Sequence, residues 1–139
     1  MEEIKKIQDE IIGEFEMFND WVEKYEHLID IGKTLPVLNE KFKTSENIIK
    51  GCQSRVWLHA FLKEDKILYE ADSDAIMTKG IISLLIRVFS NQKPKDVVNS
   101  SLVFIEKIGL SEQLSLTRRN GLLSMIKQMK IYAIAYENK

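Results

Sequence analysis

Apolar residues recur at helical spacing at the front of the chain: Ile4, Ile7, Ile11, Phe15 and Phe18, then Trp21, Tyr25, Leu28 and Ile29. Residues three and four apart share one face of an α-helix, so this spacing predicts two successive amphipathic helices. Asn19 or Asp20 can cap the second, and Gly32 can close it. Residues 33–46 break the pattern, because Pro36 stops a helix and Thr44-Ser45 favour one only weakly. From Arg55 to Leu62 the period changes to two. Val56, Leu58, Ala60 and Leu62 fall on one face, Trp57, His59 and Phe61 on the other, so both sides of this strand are expected to be covered. After a polar turn at Lys63 to Lys66, Ile67, Tyr69 and Ala71 alternate again. This predicts an antiparallel hairpin, joined by a short strand around Ile48-Ile49. Helical spacing then returns. Ser73 or Asp74 caps an apolar helix from about Ala75 to Phe89, and Pro94 suits the first turn of a short helix ending near Asn99. Leu102 to Ile108 is a further short helix with Gly109 as its stop. A last helix runs from about Arg118 to Tyr136, with Leu122, Met125, Ile126, Met129, Ala133 and Tyr136 turned inward. The predicted fold class is α+β: a small antiparallel sheet of about three strands with several helices packed against it.

Composition narrows the function classes. With 139 residues, 45% of them hydrophobic and 29% charged, the chain reads as one soluble globular domain over residues 1–139. That length buries a sufficient core without disulfides or metal. Lys+Arg 20 against Asp+Glu 21 gives a net charge of -1, with the signs interleaved. Binding to a phosphate backbone needs a basic excess on one face, so no nucleic-acid partner is expected. No apolar run is long enough to cross a bilayer, and Met1-Glu2-Glu3-Ile4-Lys5-Lys6 lacks the apolar stretch of a secretory signal. No membrane association and a cytoplasmic location are the expectation.

The lone cysteine, Cys52, changes the picture most. It has no partner for a disulfide within the chain and cannot build a cysteine-based zinc site, so its redox chemistry requires a second molecule. It sits between strand-like segments in Lys50-Gly51-Cys52-Gln53-Ser54-Arg55. Gly51 permits a sharp turn, and Lys50 and Arg55 favour a thiolate over a thiol whose ordinary pKa is about 8.5. An inert buried thiol is the competing reading of these residues. His59 lies roughly 20 Å along an extended strand from Cys52, too far for a Cys–His pair. His27 sits on a helix face with nothing to mark it.

Gly51-Cys52-Gln53-Ser54-Arg55-Val56-Trp57-Leu58 resembles the signature of the SufE/CsdE family, sulfur acceptors for cysteine desulfurases in iron–sulfur cluster assembly. Leu35-Pro36, Ala71-Asp72-Ser73-Asp74-Ala75, Lys79-Gly80, Pro94-Lys95-Asp96-Val97-Val98-Asn99 and Arg118-Arg119-Asn120-Gly121-Leu122 with Met125 resemble family blocks in the same order. Leu116 departs from the pattern, standing where the family usually carries proline, which would loosen the start of the last helix.

The resemblance implies a SufE/IscU-like fold and a persulfide relay. Cys52 would take sulfur from a desulfurase similar to SufS or CsdA, stimulate that enzyme, and pass the sulfur to a scaffold similar to SufBCD. Pyridoxal phosphate would belong to the partner, so neither cofactor nor metal is expected here. The family's loop-tip cysteine turns towards an apolar pocket, and docking would swing it outward. Arg118 aligns with the family arginine near the thiol, where it would support a thiolate or pair with a carboxylate, against the competing reading of a solvated charge in a helix's first turn, and Arg119 reads as surface. Gly51, Gln53, Ser54 and Asp74 would meet the partner, although Asp74 reads first as a helix cap. Two other readings are weighed against this one. A cysteine hydrolase or acyl carrier lacks a base and oxyanion machinery, and a pure docking module that regulates a desulfurase would carry no sulfur on Cys52. A cluster scaffold needs more thiols than one.

Overall fold

A computed structural model describes residues 2–138 of the chain. Its helices are α1 (Glu2–Glu16), α2 (Trp21–Lys33), α3 (Ile76–Phe89), α4 (Pro94–Asn99), α5 (Phe104–Lys107), α6 (Leu110–Gln113) and α7 (Leu116–Glu137), and its strands are β1 (Val56–Lys63) and β2 (Lys66–Ser73). The fold is α+β as the periodicities predict. The strands pair antiparallel from Val56 opposite Ser73 to Lys63 opposite Lys66. Glu64 adopts the left-handed conformation (φ 62°) that so tight a hairpin turn calls for.

The third strand is the main departure. Ile48-Ile49 makes a single bridge, Ile48 opposite Trp57, with the Ile49 N–H donating to the Val56 carbonyl at 2.8 Å. A 3-10 turn at Ser45–Asn47 precedes this pair and the Lys50-Gly51 turn follows at once, so no further ladder forms. A two-stranded sheet is marginal by itself. Here its edges are taken up by other parts of the chain. The hydroxyls of Tyr132 and Tyr136 donate to the carbonyls of Leu58 (3.4 Å) and Ala60 (3.0 Å) on the free edge of β1. On β2, the Ile67 N–H donates to Gln92 O, the Asn91 N–H to Ile67 O, and the Tyr69 N–H to Ser90 Oγ.

Val56, Leu58, Ala60, Ile67, Tyr69 and Ala71 form the inner face and join α3 and α7 in one core. α3 is buried nearly all round, which its run Ile81-Ile82-Ser83-Leu84-Leu85 anticipates. On the outer face Phe42 stacks on His59 at 3.7 Å and the Lys43 ammonium lies 5.7 Å from the Trp57 ring, so both sides of β1 are covered. Lys43 also pairs with Asp72 at 3.0 Å, and Lys79 with the same carboxylate at 3.2 Å.

Several local expectations are corrected. Gly32 does not end α2. It lies inside that helix where α2 crosses α3, and a Cβ there would stand 2.8 Å from Gly80 N. Neither Ser73 nor Asp74 is the N-cap of α3, which is Ala75. Ser73 Oγ instead accepts from Ala75 N–H and donates to Arg55 O, while Asp74 Oδ1 accepts from Arg55 N–H. Both side chains therefore brace the start of β1. The 102–108 segment is helical only over Phe104–Lys107, and Gly109 (φ 77°) ends it and leads into α6. α7 begins two residues before Arg118. Ser115 Oγ accepts from Arg118 N–H at 3.2 Å, so a serine cap organises the turn that proline is expected to start.

Candidate functional site

Cys52 lies on the loop between Ile48-Ile49 and β1, and it reaches back to α7. Its Sγ is 3.6 Å from the Gly121 carbonyl, to which the thiol donates. Gly51 makes this approach possible: it holds φ 94°, and a Cβ on it would stand 2.5 Å from Ser124 Oγ. Gly121 presents bare helix backbone to the sulfur, where a Cβ would make ordinary contact at 3.5 Å.

The thiol borders a cavity of about 300 Å³ lined by Cys52, Gln53, Ser54 and Ala75, by Thr78 and Ile81 of α3, and by Thr117, Arg118, Gly121 and Met125 of α7. Ser54 Oγ donates to Thr78 Oγ1 at 3.2 Å, tying the residues after Cys52 to α3. Cys52 is half-buried, and burial pushes its thiol above the ordinary range. Lys50 and Arg55 do not reverse that direction. Lys50 is exposed, and the Arg55 guanidinium turns to Asp74, with Nε 4.0 Å from Oδ2. A neutral thiol donating to a carbonyl is the resting state that this geometry favours.

The residues expected at the site divide into two groups. Cys52, Gln53, Ser54 and Arg118 line the cavity, with Gly51 at the loop's turn. Asp74 stands apart from the lining and is exposed, engaged with Arg55. Thr78, Ile81, Thr117 and Ser124 have no marker in the sequence; they enter because two helices converge on the loop. Gly121 and Met125 stand in a block that the sequence does mark. His59 is held by Phe42 and His27 lies against Phe15 and Phe18, so neither is placed to act on the thiol. No cluster of three or more metal-ligating side chains occurs among the described residues.

Residues 9–133 match the family described as SufE, Fe-S metabolism associated domain. The chain belongs to the SufE family. It is 39% identical over 140 residues to SufE-like protein 1, chloroplastic/mitochondrial, of Arabidopsis thaliana, and spans all of itself but only 38% of that relative's length. It is 39% identical over 127 residues to an uncharacterized SufE-like protein of Rhizobium meliloti, covering 88% of this chain and 91% of that one. A Synechocystis SufE-like protein is 35% identical over 91% of this chain and 80% of its own. The solution structure of a hypothetical protein from Thermus thermophilus superposes with a TM-score of 0.79 at 16% identity, covering 96% of this chain and 97% of that one, a likeness of fold. Among the described residues no helix is long and apolar enough to cross a membrane.

Proposed function

We propose that this SufE-family chain is a sulfur carrier: Cys52 accepts persulfide sulfur from a pyridoxal-phosphate cysteine desulfurase, stimulates that enzyme, and delivers the sulfur to an iron–sulfur scaffold. The observation that carries the proposal is the lone thiol, held by one 3.6 Å contact to the Gly121 carbonyl and lining a cavity with room for one more sulfur atom. In the transfer, the Cys52 thiolate attacks the outer sulfur of the donor persulfide. A new sulfur–sulfur bond forms on Cys52, the donor's bond breaks, and the donor cysteine leaves as a thiolate. The neutral, half-buried resting thiol is a poor nucleophile, so docking must draw the loop outward before this attack. Folded back, the loaded persulfide is shielded from reductants by Ile81, Met125 and the α7 backbone. Arg118 at the cavity rim is the cation we assign to the charged sulfur. Pyridoxal phosphate stays with the partner, and this chain acts without a cofactor of its own. The empty acceptor must stay a free thiol, which a reducing compartment secures, and the cytoplasm is our assignment.

The test is alanine production by the desulfurase with and without this protein. The wild type should raise turnover and Cys52→Ser should not. Equal stimulation by Cys52→Ser would make the chain a docking regulator and refute the carrier reading.

A further inference from the structure

α7 is apolar on two opposite faces. Gly121, Leu122, Met125, Met129 and Ala133 are buried in the core. Leu116, Leu123 and Ile134, 67%, 63% and 44% exposed, recur with Lys127 within about 40° of a single line on the other side. This stripe runs about 27 Å along the helix. Ile131, also exposed, stands beside it.

The stripe is the crest between two grooves. One, of about 270 Å³, is lined by the apolar Leu102, Ile105, Leu122, Leu123 and Ile126, with Arg119 and Lys130 against a single acid, Glu106. The other, of about 490 Å³, is lined by Ile48, Ile49 and Ile131, with Lys50 and Lys127 against a single acid, Glu46. The crest also carries charge of one sign. α7 holds Arg118, Arg119, Lys127 and Lys130, and no acidic residue before Glu137. Lys130 is occupied by the Ser100 carbonyl. Among the described residues the side chains of Lys50, Arg118, Arg119 and Lys127 have no ion pair or hydrogen bond. Finally, the crest is continuous with the thiol site: Leu116 precedes the cavity residues Thr117 and Arg118, and Ser124, against Gly51, lines the second groove.

We infer that the outer face of α7 is a docking surface for the desulfurase that loads Cys52, and that the desulfurase presents to it an apolar segment flanked by carboxylates. The inference rests on the function proposed above. An apolar crest between grooves suits a helix or strand laid alongside, and the unpaired cations select an acidic one. Binding beside the loop, the segment would press on Ser124 and Lys50, at the hinge of the Cys52 turn.

The test separates docking from transfer. Leu123→Gln, Ile131→Gln and Lys127→Glu alter exposed positions, so melting temperature should hold. Kd for the desulfurase is measured by fluorescence anisotropy with labelled chain, and sulfur loading is measured separately with the desulfurase and with inorganic polysulfide. The expected result is an about tenfold weaker Kd for the paired apolar variant, a smaller loss for Lys127→Glu, and unchanged loading from polysulfide. Kd values all within about twofold of the wild type would overturn the inference. So would an equal loss of polysulfide loading, which would put the defect at the thiol, or a dimer seen by sedimentation that the variants dissolve, which would make the occupant a second copy. Tight, crest-dependent binding with Cys52 left unloaded would uphold the docking surface and refute the carrier function instead.

Discussion

At the scale of single residues, the chemistry follows from where the chain places Cys52. Because burial raises its pKa, iodoacetamide should react more slowly with the native protein than with the urea-unfolded chain at neutral pH, and the pH midpoint of the native rate should lie above a free thiol's. The same shift has a stability consequence of definite sign. The contribution is fully present below the unfolded value, about 8.5, and is lost as pH rises through the raised native value. Gly51 is the other decisive residue. Gly51→Ala would force a side chain into φ 94° and onto Ser124 Oγ. It should cost about 1–3 kcal/mol in urea denaturation and displace the thiol from Gly121. The cysteine, the turn glycine and the rim arginine were all legible in the sequence. The rest of the setting was not. A carbonyl acceptor at Gly121 and a hydroxyl partner at Thr78 are contacts between residues 69 and 24 positions apart, and spacing along a strand or helix does not encode them.

At the scale of elements, hydrophobic period located α1, α2, β1, β2 and α7 because each buries one regular face, while α3 showed as an apolar run and α4 through Pro94. Where it failed, a competing local interaction had won. Ile48-Ile49 is too short, and too closely flanked by turns, to extend the sheet. Gly32 resembled a stop but serves the α2–α3 crossing, where it meets Gly80. Contacts between elements carry two predictions. Arg87 donates twice to Glu14, once at 2.9 Å, joining α3 to α1. These bonds hold the Glu14 carboxyl below its ordinary range. Its contribution is present above the unfolded value of about 4.3 and is lost as pH falls through the lowered native value. Glu14→Gln should therefore flatten the acid limb of the denaturation midpoint, at a cost of about 1 kcal/mol near neutrality. The buried Tyr69 hydroxyl donates to the Met129 carbonyl at 2.6 Å, tying β2 to α7. Tyr69→Phe should lower stability by about 1 kcal/mol without affecting sulfur loading.

At the scale of the whole molecule, α7 links the parts. Its inner face closes the core, its tyrosines cover the edge of β1, its first turns wall the thiol cavity, and its outer face is bare. Near-neutral net charge hides an uneven distribution: residues 116–136 carry basic side chains and no acidic ones. Composition alone could not disclose that, since it averages over the surface. The cavity is likewise a property of the assembled fold, made by the 52–54 loop, α3 and α7 together. The central claim is that Cys52 holds transferred sulfur. Intact-protein mass spectrometry after incubation with the desulfurase and free cysteine tests it most directly, with Cys52→Ser alongside. The expected result is a gain of one or more sulfur atoms, removed by a reducing agent and absent from the variant. No gain beside an active desulfurase, or the same gain on Cys52→Ser, would contradict it.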